Sequence, residues 1–125
     1  MTITLDQKRA QYAWDKSSEC THFIKEYTVV AKSTASLIMN SGLMQTLAFL
    51  KTKKNSEHKA LLAHILKWLD IRFLTKNAQS DIPDFGMVMK RLQEVDSSHY
   101  MQITSETMAL LRWIRQFADA HKAME

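Results

Sequence analysis

The chain has 125 residues with only two glycines and one proline, and 46% of its residues are hydrophobic. Sheet proteins with tight turns need more glycine and proline, so this composition predicts an all-α fold, in a single domain of residues 1–125. The one cysteine, Cys20, excludes an internal disulfide, and the net charge of +4 is compatible with a partner that carries phosphate.

Positive charge is concentrated in the first part of the chain. Residues 1–76 contain 12 Lys and Arg against 6 Asp and Glu, whereas residues 77–125 contain 5 against 7. This asymmetry predicts a basic side of the fold, unless the charge serves solubility alone. No apolar run precedes Asp6, and no run reaches the roughly 18 residues of a membrane span. We therefore expect no secretory signal, no membrane span and a cytoplasmic location.

The first predicted element is a long helix. Thr4 and Gln7 have the spacing of a capping box, which predicts a helix that begins at about Leu5. Apolar residues then recur at threes and fours as far as about Lys32, which we expect to be the end of the helix. The apolar pattern thins at residues 16–18, where the helix has room to bend.

A break is predicted at Ser33-Thr34, followed by a short helical turn over residues 37–39. Gly42 interrupts the pattern again, and Ser41 is the expected N-cap of a helix over residues 42–52. In that helix, leucines spaced at i, i+4 and i+7 predict one buried face.

Three more helices are predicted in the second half. One covers residues 57–76 and precedes a loop at residues 77–84, and a short one covers residues 85–95. Asp96-Ser97-Ser98 is expected to cap the last helix, whose apolar residues alternate in steps of three and four until His121. The sequence thus predicts a compact bundle of five to six helices.

The residues that usually carry chemistry are poorly placed for it. Cys20 and His22 are two residues apart and point to different sides of a helix, and no zinc-protease motif, glycine-rich phosphate loop or nucleophile motif is present. The histidines are expected to be surface or edge residues: His22, His58, His64, His99 and His121. We therefore predict no catalytic residue, no metal and no cofactor.

Lysines are densest just after the 42–52 helix. Lys51, Lys53 and Lys54 occur there with Lys59, opposed only by Glu57. Such a cluster suits phosphate, but it equally suits a solvated helix end whose lysines complement the helix dipole. No aromatic residue is interleaved with the lysines, so the sequence does not predict a base-stacking platform.

Six blocks in this order and spacing resemble a known family: Leu5-Asp-Gln-Lys-Arg-Ala10 with Ala13-Trp14, Leu37-Ile38, Gly42-Leu43, Gln45-Thr-Leu-Ala-Phe-Leu50, Leu66 to Leu69, and Met108 to Ala118. The chain resembles, from about residue 5 to 120, the small subunit of the type III-B (Cmr-type) CRISPR RNA-silencing complex. The block from Gly42 to Leu50 is the most specific, and its residues are expected to be core.

The resemblance implies an α-helical subunit without enzymatic activity, which stacks in more than one copy beside the other Cmr subunits. Its basic face would follow the groove where target RNA pairs with guide RNA, in contact with their backbones. The family blocks do not identify the RNA-binding residues, which we expect to be Lys8, Arg9, Lys51, Lys53, Lys54 and Arg112. The alternative function is a helical protein–protein adaptor with no role in nucleic-acid binding.

Overall fold

The structure, a computed structural model, describes residues 2–74 and 81–125. These ranges contain no strand, one 3-10 turn at Thr21–Phe23, and six α-helices, which are α1 (Leu5–Ser18), α2 (Ile24–Ser41), α3 (Leu43–Thr52), α4 (Ser56–Phe73), α5 (Phe85–Glu94) and α6 (Ser97–Ala123). The predicted all-α bundle is confirmed. That residues 1–125 form a single domain stays a prediction.

The start of α1 is as predicted, but its end is not. The backbone N–H of Gln7 donates to Thr4 Oγ1 at 3.0 Å, and Gln7 Oε1 accepts from the Thr4 N–H at 2.7 Å. The helix then ends at Ser18, where two successive serine hydroxyls donate to carbonyls of the preceding turn. Such back-bonding competes with the helical ladder. The prediction of a single helix over residues 5–32 is therefore wrong. The chain instead forms two helices, α1 and α2, separated just after the residues where the apolar pattern thins.

The predicted break at Ser33-Thr34 is also wrong, since α2 continues through both residues to Ser41. The Ser33 hydroxyl donates to the Val30 carbonyl at 3.1 Å, and Thr34 is fully buried. Serine and threonine weaken a helix only slightly, and tertiary packing overrides that preference. The turn predicted over residues 37–39 is simply the last part of α2.

Gly42 forms the junction between α2 and α3, as the sequence predicts. Its φ of +85° lies where side chains with a Cβ are strained, and its N–H donates to the Ile38 carbonyl at 2.9 Å. Ser41 is not the N-cap of α3, because it is the last residue of α2. Instead the hydroxyl of Tyr100, on α6, accepts from the Met44 N–H at 3.0 Å. A distant helix thus caps the start of α3.

Aspartates cap the last two helices. Asp84 accepts from the Met87 N–H at 3.0 Å at the start of α5, and Asp96 accepts from the His99 N–H at 2.8 Å at the start of α6. The predicted cap at Asp96 is confirmed. The last residues of the helix predicted over 57–76 and most of the loop predicted over 77–84 lie outside the described residues.

Helix α6 packs against the first two helices of the chain, α1 and α2. Asp6 contacts Trp113 and Trp14 contacts His121, so the contacts advance together along α1 and α6, and the two helices run parallel. Lys32 pairs with Asp119 while the residues after α2 meet Tyr100, so α2 and α6 run antiparallel.

The core confirms the predicted apolar faces. The α3 leucines at positions 43, 47 and 50 are at most 1% exposed. On α6 the buried face includes Ile103, Thr107, Leu110 and Ile114, at the predicted spacing of three and four. Burial of these faces determines how the helices pack against one another. The residues on their exposed faces remain available to form a site.

Candidate nucleic-acid interface

Four lysines project from one corner of the fold, and we call Lys51, Lys53, Lys54 and Lys59 the lysine corner. Only three residues separate the end of α3 at Thr52 from the start of α4 at Ser56. This short connection brings the last turn of α3 and the first turn of α4 together. Lys53 is half-buried and the other three lysines are exposed. Their ammonium groups form a concentrated positive charge at the surface.

Aromatic rings lie among these lysines, contrary to the expectation from the sequence. Lys53 Nζ lies 4.8 Å from the ring centroid of Phe49, and Lys51 Nζ lies 5.6 Å from that of Phe85. Both distances are within the range of cation–π contacts. Phe49 was expected to be core but is 43% exposed. Phe85 comes from the start of α5, so no run of neighbouring residues signals it, whereas Phe49 lies only two residues before Lys51 in the chain.

The lysine corner borders a groove between α3, α4 and the start of α5, which we call the α3–α4 groove. Its volume is about 380 Å³, and its lining consists of Leu50, Lys51, Lys53, Lys59, Leu62, Ala63, Leu66, Ile82, Pro83 and Phe85. Three lysines stand on its sides, and the remaining lining is apolar. This volume falls within the roughly 300–1,000 Å³ of small-ligand pockets.

A second depression adjoins the first along α4. This α1–α4 groove has a volume of about 280 Å³ and is lined by Tyr12, Lys16, Glu19, Ala63, His64, Lys67, Asp81 and Ile82. Ala63 and Ile82 line both grooves, so the surface is continuous. Because the second groove also contains two carboxylates, its charge is mixed, whereas every charged residue that lines the α3–α4 groove is a lysine.

His64 closes the inner side of the α1–α4 groove and is buried, so its expected surface or edge position is wrong. Its Nδ1 lies 2.8 Å from the Tyr27 hydroxyl, and its carbonyl accepts from the Tyr12 hydroxyl at 2.6 Å. Burial, assisted by the charge of Lys16, lowers the pKa of His64 to about 4. The imidazole is therefore neutral near pH 7, and these contacts hold α1, α2 and α4 together.

His121 was likewise expected at the surface or an edge and is buried, with its ring centroid 4.1 Å from that of Trp14. The side chains of Glu57 and His58 approach within 3.7 Å of each other. Among residues 2–74 and 81–125, no group of three or more His, Cys, Asp or Glu side chains is arranged to hold a metal ion. Cys20 is buried, and burial, with the charge of Glu19, raises its thiol pKa to about 11.

Arg9 is engaged inside the protein. Its Nε and one terminal nitrogen donate to the two carboxylate oxygens of Glu106 at 2.7 and 2.8 Å. Trp68 donates to the same carboxylate at 3.0 Å, and the Arg72 Nε lies 3.9 Å away. Burial would raise the pKa of Glu106, but the hydrogen bonds from Arg9 and Trp68 outweigh it and lower the pKa.

Glu106 is a residue that the sequence interpretation missed. A signal existed, because Glu106 lies three residues after Ile103 and four before Leu110, both on the buried face of α6. A carboxylate at such a position needs a cationic partner. Only the folded chain identifies that partner as Arg9, 97 residues away.

Lys8 and Arg112 lie apart from the lysine corner, where α1 begins against the middle of α6. Both are exposed. Asp6 lies between these helices, and its carboxylate accepts from Trp113 at 2.9 Å and from Arg9 at 3.2 Å. These bonds, together with the charge of Arg112, lower the pKa of Asp6. The structure therefore divides the six expected RNA-binding residues into three at the lysine corner, two beside α6, and Arg9 in an ion pair.

The fold and the surface define a small all-α protein that presents a basic groove. In the described residues, no helix has the length and apolarity needed to cross a membrane. The family model described as "CRISPR-associated protein (Cas_Cmr5)" matches residues 5–121. The chain therefore belongs to the Cas_Cmr5 family, which confirms the resemblance to the Cmr-type small subunit.

Relatives of known name agree with this assignment. The chain is 30% identical over 122 residues to the "CRISPR system Cmr subunit Cmr5" of Thermus thermophilus, an alignment that covers 94% of this chain and 95% of that protein. The crystal structure of a CRISPR-associated Cmr5 family protein from Thermus thermophilus is similar, with a TM-score of 0.74 and 28% sequence identity. That similarity covers 95% of this chain and 97% of the crystallised one.

Proposed function

We propose that this chain is a non-catalytic small subunit of a Cmr-type CRISPR effector complex in the cytoplasm. It stacks as more than one copy beside the other Cmr subunits and contacts the backbones of guide and target RNA. Membership of the Cas_Cmr5 family and the similarity to a protein named as a Cmr subunit support its place in the complex.

The lysine corner is the observation that carries the RNA contact. Lys51, Lys54 and Lys59 are exposed, and Lys53 stands beside them at the mouth of the α3–α4 groove. Lysine ammonium groups bind phosphates as mobile point charges, without demanding a fixed geometry. Such contacts hold any RNA sequence, so specificity comes from pairing between guide and target.

The internal contacts of the ionisable groups support a role without catalysis. Glu106 is bound by Arg9 and Trp68, and His64 by Tyr27, so these groups hold helices together. A general acid or base has to reach a substrate proton directly or through one water molecule. His64 lines the α1–α4 groove but its Nδ1 is engaged by the Tyr27 hydroxyl, and the Glu106 carboxylate is engaged by Arg9 and Trp68. Their shifted pKa values leave His64 neutral and Glu106 ionised at pH 7.

The first test is binding of an unstructured single-stranded RNA, followed by fluorescence anisotropy at several salt concentrations. The triple variant Lys51→Glu, Lys53→Glu and Lys54→Glu should weaken binding strongly. Loss of three phosphate contacts should reduce the slope of log K against log salt by about 2. The matched control changes three exposed lysines elsewhere, Lys25, Lys90 and Lys122, to Glu.

The control separates a local contact from net charge, because both triple variants change the charge equally. Equal loss of affinity in both variants would contradict a contact at the lysine corner. Copurification with the other Cmr proteins and a guide RNA tests membership of the complex. If the chain enters that complex and RNA affinity is unchanged in both variants, the protein–protein adaptor is the better description.

A further inference from the structure

The α3–α4 groove combines two surfaces of opposite chemistry. Its floor is formed by Leu50, Leu62 and Leu66, which belong to the buried core and are at most 6% exposed. Its rim carries the ammonium groups of three members of the lysine corner. Phosphate binding needs only the rim, because an apolar floor gives a phosphate group nothing to bind. The floor therefore calls for an apolar or aromatic group attached to an anion.

A nucleotide has this combination of chemical groups. Its base is a flat ring system that gains free energy from leaving water and stacking on an aromatic side chain, and its phosphate lies one sugar away. In the groove, the Phe85 ring stands at the wall with Lys51 Nζ 5.6 Å from its centroid. A base on the floor would place its phosphates among the lysines of the rim.

We propose that the α3–α4 groove takes up an unpaired base of an RNA strand while the lysine corner holds the adjoining phosphates. This proposal rests on the proposed RNA contact and adds the kind of RNA group that is bound, namely a single-stranded, unstacked nucleotide. Bases inside a duplex do not reach the floor, because their faces are covered by stacking. The groove therefore distinguishes single-stranded RNA from a regular duplex.

An acidic peptide with an apolar side chain is the other occupant that the chemistry admits. The aromatic rings among the lysines favour the base. Phe49 is 43% exposed and its ring lies 4.8 Å from Lys53 Nζ, so a second ring adjoins the lysine corner, on the side of α3 that faces Leu37 and Ser41. Platforms for single-stranded nucleic acid combine such rings with cations.

Ala63 provides the substitution that fills the groove without removing charge. It lies on α4, lines both grooves and is half-buried, so the change Ala63→Phe places a ring over the floor. The matched control is Ala120→Phe, at a half-buried alanine of α6 that lines neither groove. Circular dichroism and urea unfolding of both variants verify that each one is folded.

Two RNA probes of equal length and charge complete the experiment. One is a fluorescein-labelled unstructured oligonucleotide, and the other is the same sugar–phosphate chain without bases. The full-length protein should bind the base-containing probe more tightly than the abasic probe. Ala63→Phe should lower affinity for the base-containing probe about tenfold, as expected for one lost stacked base, and leave the abasic probe unaffected. Ala120→Phe should leave affinity for both probes unchanged.

The outcomes separate this proposal from the proposed function. If the unaltered protein binds both probes equally and Ala63→Phe changes neither affinity, the groove takes no base, although the phosphate contact stands. If neither probe binds at low salt, the RNA contact itself fails. An oligoglutamate peptide containing leucine that competes with RNA for the unaltered protein, but not for Ala63→Phe, would assign the groove to a protein segment and overturn the proposal.

Discussion

At the scale of single residues, the carboxylate of Glu106 joins three helices. It accepts from Arg9 on α1 and from Trp68 on α4, while its own backbone belongs to α6. Each of these side chains leaves water when the helices pack together. An ionised group in such a place is stable only while its hydrogen-bonding partners remain.

Removing the charge of Glu106 should therefore destabilise the fold. We expect Glu106→Gln to lower the free energy of unfolding by about 3 kcal/mol, because Arg9 loses its buried carboxylate partner and keeps only the exposed carboxylate of Asp6. Urea unfolding measures the change. The same substitution at Glu94, an exposed residue of α5, should change stability by less than about 0.5 kcal/mol. Equal effects at both positions would contradict a stabilising role for the buried pair.

His64 should make stability depend on pH. Its pKa is about 4 in the folded protein and about 6.5 when exposed, so the unfolded chain binds more protons between these values. Stability is therefore complete above about pH 6.5 and should fall by about 3 kcal/mol as the pH is lowered to about 4. Thermal or urea unfolding across this range measures the slope.

Two variants test whether the slope belongs to His64. His64→Asn keeps a polar atom near the position of Nδ1 but does not titrate, so unfolding should depend less on pH between 4 and 6.5. His22→Asn, at an exposed histidine, should retain the original slope. Glu106 loses its contribution only below the ordinary glutamate pKa of about 4.3, because folding lowers its pKa. A steep slope in His64→Asn would therefore point to another group.

At the scale of the elements, Gly42 determines the angle between α2 and α3. With φ at +85° and ψ at 168°, its backbone occupies a region that is essentially restricted to glycine. No atom lies within 4 Å of the place a Cβ would take, so strain alone opposes a side chain there. The turn also aligns the Met44 N–H with the Tyr100 hydroxyl, and thus connects α3 to α6.

Gly42→Ala should lower the free energy of unfolding by about 2 kcal/mol through this backbone strain. Gly86→Ala is the natural control, because Gly86 lies within α5, where alanine is the better helix former. A Cβ at Gly86 would lie 3.2 Å from Asp84 Oδ2, which offsets part of that gain, so the net change should stay near 0.5 kcal/mol or less. Comparable losses in both variants would contradict the strain account.

The elements also show how far the sequence alone predicts this fold. The capping box at Thr4 and the leucine spacing of α3 depend on residues within one or two turns, and both were predicted. The end of α1 and the continuity of α2 depend on whether hydrogen bonds from serine hydroxyls to backbone carbonyls disrupt the backbone hydrogen bonds of the helix or leave them intact. Tertiary packing determines the outcome, and the pattern of neighbouring residues in the sequence carries no information about that packing.

The candidate site was predictable only in part for the same reason. The lysine corner follows directly from neighbouring positions in the chain. Its aromatic partner Phe85 and the ion pair between Arg9 and Glu106 join residues from distant helices. From its charge, Arg9 was predicted to bind RNA like the exposed lysines. The fold instead buries most of the Arg9 side chain against Glu106.

At the scale of the whole molecule, the described basic residues form unequal patches. Lys51 and Lys53 stand beside the α3–α4 groove, whereas Arg112 lies close enough to Asp6 for its charge to lower the pKa of that carboxyl. A nearby carboxylate reduces the potential that a phosphate meets. Neutralising Lys51 with Lys53, or Lys8 with Arg112, removes two positive charges in each case. The two double variants can therefore be compared directly.

We expect Lys51→Gln with Lys53→Gln to weaken binding of single-stranded RNA more than Lys8→Gln with Arg112→Gln does. The difference should be about tenfold at low salt and should shrink as salt screens both patches. Fluorescence anisotropy of the two double variants measures it. Equal affinities would indicate that RNA binding responds only to total charge, and the reverse order would place the RNA beside α1 and α6.

The parallel pairing of α1 with α6 also has a consequence for synthesis on the ribosome. Helix α1 emerges first, but the side chains that cover it, such as Glu106 and Trp113, are made about 100 residues later. Until then Arg9 has no carboxylate from α6, and the buried side of α1 has no cover from that helix. Closing such a long loop costs entropy and slows folding. The contacts between α1 and α6 therefore form only after α6 has been translated.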